Sequence, residues 1–348
     1  MLDSITKVSS VNAEEQFTST PVSIVIPCLN EERFIRAVLE SLARQYEPGC
    51  FEIIIVDGLS SDRTREVIAG FARDNPRVAV RVIDNPDRNI PKALNLGIDA
   101  ATGEIIVRMD AHSIPSSGYV RRCVKLLTEG DAAVVGMPWK ICAGNDSLMA
   151  RAIALAVAHP FGIGDAKYRL NVAAAEYVDT VPFGAFKKTL WQRVGGFNEK
   201  LRANEDYDFN YRVRKNGGKV LLDAAEHCDY VARATLGDLA KQYWRYGGWK
   251  AQMVKLQPAS LRWRHLVAPA FVAGLVVTAV ASVVWPSAFW LFSLAVVSYA
   301  LLAIVCSLQL ALRNKDIALF FVLPLIFLSI HLSWGASFIA GLFRRRIG

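Results

Sequence analysis

Between His265 and Phe343 the chain carries only three charged side chains, Arg313, Lys315 and Asp316. A soluble domain cannot surround itself with so few charges, whereas a bilayer requires about 20 apolar residues per helical crossing. The charges divide the stretch, and the sequence predicts three membrane segments at 265–285, 287–312 and 317–343, with Trp285 and Trp290 near a shared interface. Pro324 and Gly335 are candidate kinks in the third. If that segment is one helix, Arg344, Arg345 and Arg346 lie across the membrane from Arg313 and Lys315; if it is broken or re-entrant, they return to the same side. The sequence leaves both open, and His331 either meets a head group or packs on a neighbouring helix.

The chain's 53% hydrophobic content is concentrated there, so a soluble domain precedes the spans. The net charge of +8 is also local. Residues 233–264 hold Arg233, Lys241, Arg245, Lys250, Lys255, Arg262 and Arg264 against one acid, Asp238, interleaved with Tyr243, Trp244, Tyr246, Trp249 and Trp263. Such a basic, aromatic block beside a span suits an amphipathic segment on anionic membrane lipids at a cytoplasmic face. Nucleic acid is the competing partner for it, and the adjoining spans make lipid the simpler one. Cys28, Cys50, Cys123, Cys142, Cys228 and Cys306 show no metal-ligand spacing and read as reduced thiols of a cytosolic domain. Residues 1–21 are polar, lack the apolar core of a signal peptide and read as a disordered tail.

From Val22 the pattern alternates. Short apolar runs at 22–27, 51–56, 78–83 and 104–109 read as buried strands, separated by amphipathic helices, which specifies a mostly parallel α/β sheet with right-handed crossovers over 22–232. Asn30 is placed as the cap of a helix reaching about Gln45. Further strands are expected at 132–137 and 178–184, and helices at 148–158, 188–194 and from Asn204.

Ligands of open α/β sheets sit outside the carboxyl ends of the strands. The fourth strand ends in Asp110-Ala111-His112, whose two polar side chains project to one side if the chain stays extended, and which together suit a divalent cation. Alone, the pair equally suits a capped turn and a surface histidine. Asp57, before Gly58, ends the second strand, and Lys92 opens the third helix. Glu205 and Asp206 point about 100° apart on a helix, so one can face a cleft while the other meets the dipole or a basic side chain. Gln242, Arg245 and Tyr246 share a helix face, fit either for a phosphate and a sugar or for a membrane interface.

In this order, VSIVIPCLN (22–30), VDGLSSD (56–62), PKALNLG (91–97), DAH (110–112), VGGF (194–197), NEDYDF (204–209) and QYWRY (242–246) resemble the family 2 glycosyltransferases of GT-A fold over residues 22 to about 250. The DAH variant and short membrane domain are most similar to succinoglycan glucosyltransferases that extend a lipid-linked sugar. The resemblance implies that Asp57 contacts the uridine of a UDP-sugar, with Pro27, Asn30 and Lys92 beside it. It makes Asp110 the central carboxylate of the metal motif, His112 the replacement for its second acid, and Mg²⁺ or Mn²⁺ the cation. It makes Asp206 the catalytic base, and gives Glu205 a role in positioning the helix or the acceptor. Gln242 and Arg245 match a motif of processive synthases, with Tyr246 where tryptophan is usual, which weakens processivity. The implied activity is inverting transfer to a polyprenyl-diphosphate-linked saccharide at a bacterial-type inner membrane, with the catalytic domain in the cytosol. A processive synthase and a catalytically silent nucleotide-sugar-binding scaffold are the rival readings.

Overall fold

A computed structural model describes residues 20–47 and 49–345. The tail expected over 1–21 lies almost wholly outside them, as does Arg346. In chain order the elements are β1 (Val22–Cys28), α1 (Ile35–Leu42), β2 (Phe51–Asp57), α2 (Thr64–Asp74), β3 (Ala79–Asp84), α3 (Ile90–Ala100), β4 (Ile105–Arg108), β5 (Ser113–Pro115), α4 (Tyr119–Glu129), β6 (Val134–Gly136) and β7 (Trp139–Cys142). Then come α5 (Leu148–Ala156), α6 (Pro160–Ile163), β8 (Glu176–Tyr177), β9 (Ala185–Lys187), α7 (Lys188–Val194), α8 (Glu205–Lys215), β10 (Val220–Leu222), β11 (Cys228–Val231), α9 (Leu236–Leu256), α10 (Arg264–Val284), α11 (Ala288–Arg313) and α12 (Ala318–Phe343).

The first compact unit runs to Lys140 and resumes over Val172–Tyr230. Its main sheet has the order β3-β2-β1-β4-β9-β6-β10-β8. β3, β2, β1 and β4 are mutually parallel, while β9 runs antiparallel to both β4 and β6. Every residue of β2 is buried, as a strand covered on both faces requires. Burying one Ile or Val contributes about 1.5–3 kcal/mol, so the Ile53–Val56 run alone anchors the sheet. Gly97 lets α3 approach the sheet: a Cβ there would stand 2.5 Å from Val25 Cγ1.

Two local expectations fail for identifiable reasons. The strand expected over 178–184 does not form; β8 and β9 flank that stretch instead. Pro182 has no N–H for a ladder, and Phe183 takes φ 47°, outside any strand conformation. The first helix begins at Ile35 rather than after Asn30, because Asn30 has φ 55° and its Oδ1 accepts the N–H of Ser61 at 2.8 Å.

The second unit joins Ile141–Asn171 to the chain from Val231 onwards. The boundary drawn at 22–232 therefore misplaces residues 141–171, whose apolar α5 and α6 pack on α12, a contact far apart in sequence. Helices α10, α11 and α12 are each long and apolar enough to cross a membrane, and Val276, Val280, Val283, Trp290 and Phe321 face outward from them. The chain is thus membrane-anchored. The third segment is one unbroken helix. His331 packs within the bundle, with Nδ1 against Tyr299 Oη at 2.9 Å and Nε2 against the Phe161 carbonyl at 2.8 Å.

The segment 233–264 is not a separate interfacial layer. Helix α9, capped by Thr235 Oγ1 accepting the Asp238 N–H, lies along α12 through Gly247, Gly248 and Ala251. Small residues let helix backbones approach closely. Lys250 is buried and Arg264 pairs with Asp165 at 2.7 Å, so only part of the basic block remains for lipid. A Cβ at Gly247 would stand 2.4 Å from the Trp334 carbonyl oxygen. Gly247→Leu is therefore expected to cost about 1–3 kcal/mol by overpacking, read as a lowered melting temperature of the detergent-solubilised protein; an unchanged melting temperature would mean this helix pair does not stabilise the bundle.

Candidate active site

Chain order reverses between β1 and β4, which places a crevice outside their carboxyl ends. Of the six non-glycine residues with positive φ among those described, Asn30, Leu59 and Arg88 follow β1, β2 and β3, while Phe183 and Asn204 precede β9 and α8. Each such conformation costs on the order of 1–3 kcal/mol, and strain of this kind gathers at functional sites.

The centre of this rim is Arg108, the buried last residue of β4. Its Nη2 donates to Glu205 Oε1 at 2.8 Å and lies 3.5 Å from Asp110 Oδ1, while Nη1 lies 4.0 Å from Asp206 Oδ2. One guanidinium therefore gathers a carboxylate from the end of β4 and two from the start of α8. The Phe183 ring lies 5.9 Å from the guanidinium carbon, and the Phe183 carbonyl accepts the Tyr119 hydroxyl at 3.1 Å. Desolvation works against the charge of Arg108, but Glu205, then Asp110 and Asp206, outweigh it and raise its pKa.

The acidic pair divides as the helical turn requires. Glu205 is 8% exposed and Asp206 35%, so Asp206 opens to solvent while Glu205 pairs with the buried base. Burial pushes the Glu205 carboxyl up, with Asp206 adding to that shift and Arg108 opposing it. Helix α8 is fixed from behind: Arg212 pairs with Asp208 and donates to the carbonyls of Val194 and Gly196, while Phe209 stacks on Phe197. Asn95 completes this support, its Oδ1 accepting from Phe197 N and Trp191 Nε1. Several motif residues thus hold the site rather than line it.

Asp110 and His112 do not sit in extended chain, since Ser113 N–H donates to the Asp110 carbonyl and the chain turns. His112 Nδ1 lies 2.8 Å from Glu31 Oε1, so a metal bond from this ring would use Nε2, with Glu31 as the outer partner that orients it. No group of three or more His, Cys, Asp or Glu among the described residues could enclose an ion. Asp110 and His112 fit a cation that takes its remaining oxygens from a diphosphate and water, and a mixed carboxylate and imidazole set suits Mn²⁺ at least as well as Mg²⁺.

The nucleotide side differs from expectation at Asp57. Its side chain is fully buried, and its oxygens accept from Ser60 N, Ser60 Oγ and Arg65 Nε. Arg65 bridges on to the exposed Asp84, so Asp57 shapes the loop after β2 rather than opening directly to a ligand. Ser60 Oγ also accepts the Asn30 N–H, joining the loops after β1 and β2. Pro27 is half-buried in β1, and Lys92, in the first turn of α3, pairs with Asp87. Cys28 lies close by, but burial, with Asp57 next in effect, pushes its thiol far up and leaves it no thiolate character. In the second unit, Gln242 Nε2 donates to Tyr246 Oη at 3.1 Å, and exposed Arg245 lies over the Tyr246 ring.

Arg108 went unassigned in the sequence. The available signal was a charged side chain interrupting an apolar strand, which burial permits only with partners.

Residues 23–189 match the sequence profile of glycosyl transferase family 2. The succinoglycan biosynthesis protein ExoA of Rhizobium meliloti is 30% identical over 347 residues, covering 96% of this chain and 99% of that protein. A Methanococcus voltae dolichyl N-acetyl-α-D-glucosaminyl phosphate 3-β-D-2,3-diacetamido-2,3-dideoxy-β-D-glucuronosyltransferase is 24% identical over 247 residues, 70% of this chain and 76% of that one. Among solved structures, the mannosyltransferase PcManGT of Pyrobaculum calidifontis, in complex with GDP-Man and Mn²⁺, superposes with a TM-score of 0.61 at 19% identity, covering 94% of this chain and 88% of that chain. That likeness shows a GT-A fold.

Proposed function

Because the chain belongs to glycosyl transferase family 2, we propose that it is an inverting, metal-dependent transferase that moves a sugar, glucose before others, from a UDP-sugar to a polyprenyl-diphosphate-linked saccharide. The observation that carries this reading is that Asp110 and Asp206 share one guanidinium, and so belong to one cleft. The similarity to a succinoglycan biosynthesis protein and to a dolichyl-phosphate sugar transferase supports a lipid-linked acceptor. The apolar helices support a membrane location, and use of a nucleotide sugar is the reason to assign the catalytic domain to the cytosolic face of a bacterial-type inner membrane.

In this mechanism, Asp110 and His112 would hold a divalent cation, which would supply charge neutralisation for the departing diphosphate. Asp206 removes the proton from the acceptor hydroxyl as that oxygen attacks the anomeric carbon from the face opposite the diphosphate. With one base and no protein nucleophile the displacement is direct, so an α-linked donor yields a β-glycoside. Asn30, Pro27, Lys92 and the Asp57-ordered loop form the nucleoside side.

Tyr246 at the position where processive synthases carry tryptophan, and the small number of spans, favour single addition over polymerisation. A silent scaffold has no use for a partly exposed carboxylate held beside Arg108. A panel of radiolabelled UDP-sugars incubated with membranes containing lipid-linked precursors is expected to label one lipid fraction by a single sugar. A polymer would favour the synthase, and no incorporation from any donor would favour the scaffold. His112→Ala is expected to raise the divalent-cation concentration for half-maximal transfer about tenfold or more, because an inner ligand is lost; an unchanged cation requirement would remove His112 from the metal site.

A further inference from the structure

We infer that Arg108 is a positioning residue that sets the separation and alignment of the donor-side carboxylate Asp110 and the acceptor-side base Asp206. The inference rests on the roles proposed above for those two acids.

With its side chain 6% exposed, Arg108 cannot itself touch donor or acceptor. Whatever it does passes through the groups around it. The contacts are graded: Nη2 donates a short hydrogen bond to Glu205 at 2.8 Å and a long one to Asp110 at 3.5 Å, whereas Asp206 at 4.0 Å is held by charge. Glu205 is therefore the anchor that fixes the guanidinium, and the guanidinium in turn places the two acids facing the cleft. Nε and Nη1 are buried with no hydrogen-bond partner among the described residues, so this is not a closed structural ion pair with every donor satisfied. The seat is built from two sides. Phe183 bears its ring on the guanidinium from a strained φ of 47°, and Trp139 backs that ring at a centroid distance of 5.5 Å. Asn204, at φ 63°, turns α8 so that Glu205 points inward while Asp206 stays at the surface.

A purely structural buried ion pair is often replaceable by apolar residues of similar volume. That property separates the two roles. Arg108→Met combined with Glu205→Leu removes both charges together and leaves neither partner orphaned. The melting temperature is expected to stay near that of the unaltered protein, while kcat falls about 100-fold or more, a larger change than that in UDP-sugar binding and the effect of misplacing reacting groups by around an ångström. Retention of kcat within about tenfold in the folded double variant would overturn the inference. Should the double variant not fold, Arg108→Lys keeps the charge but loses the planar fork. It is expected to lower kcat about tenfold or more, beyond any change in donor KM, and an unchanged kcat would overturn the inference. Asp206→Asn measured alongside distinguishes the failures: transfer lost there but kept in the Arg108 variants sinks the positioning role alone, whereas transfer kept in Asp206→Asn sinks the base assignment on which it rests.

Discussion

Replacing Asp206 with asparagine is expected to lower kcat about 10²–10⁴-fold, the range a positioned general base contributes, while binding of the UDP-sugar changes little. The asymmetry follows from position. Asp206 stands at the start of α8, 4.0 Å from Nη1 of Arg108, whereas Asp110 lies 3.5 Å from Nη2, and the Asp206 side chain is partly open to solvent. The donor's diphosphate is assigned to the Asp110 side, so an amide at residue 206 removes a proton acceptor without removing a donor contact. Calorimetry of UDP-sugar binding together with single-turnover transfer checks both halves. Equal losses of binding and transfer would mean that Asp206 holds the donor and that the base lies elsewhere.

Glu205→Ala is expected to be the most damaging single change to the folded catalytic unit. It leaves Arg108 buried without its one short partner, and breaking a buried ion pair from one side costs about 3–5 kcal/mol. Against a typical domain stability of about 5–15 kcal/mol, that loss would deplete the folded protein severely. Glu205→Gln also removes the negative charge but keeps a carbonyl oxygen for Nη2, and is expected to lose less. Thermal unfolding of the two variants in detergent gives the comparison directly. A melting temperature for Glu205→Ala equal to that of Glu205→Gln would show that neither the retained hydrogen bond nor the side-chain volume contributes.

The parts of this architecture that follow from local patterning were legible in the sequence. The apolar runs of β1, β2 and β4 can only be strands buried on both faces, and the charges at Arg313, Lys315 and Asp316 mark the break between α11 and α12. The order of motifs also identified the rim residues Asn30, Asp57, Asp110 and Asp206. What stayed hidden depends on long-range contact. Nothing near Asp57 in sequence says that Arg65 and Ser60 occupy its oxygens, since that follows from how the β2 loop folds back. The strand expected at 178–184 has the right composition, but Phe183 is bent out of strand geometry where its ring meets Arg108. Residues 141–171 resemble a continuation of the α/β chain until Phe161 and His159 are seen packing on Phe327 of the last helix.

The most direct test of the account is the anomeric configuration of the product. Transfer from an α-linked UDP-sugar to a lipid-linked saccharide, followed by the anomeric proton coupling in the NMR spectrum, is expected to give a β-glycoside with the unaltered protein and at least about 100-fold slower formation of it with Asp206→Asn. An α-glycoside would require two successive displacements or a front-side attack, and would contradict a cleft in which one exposed carboxylate faces the departing diphosphate across a single sugar ring.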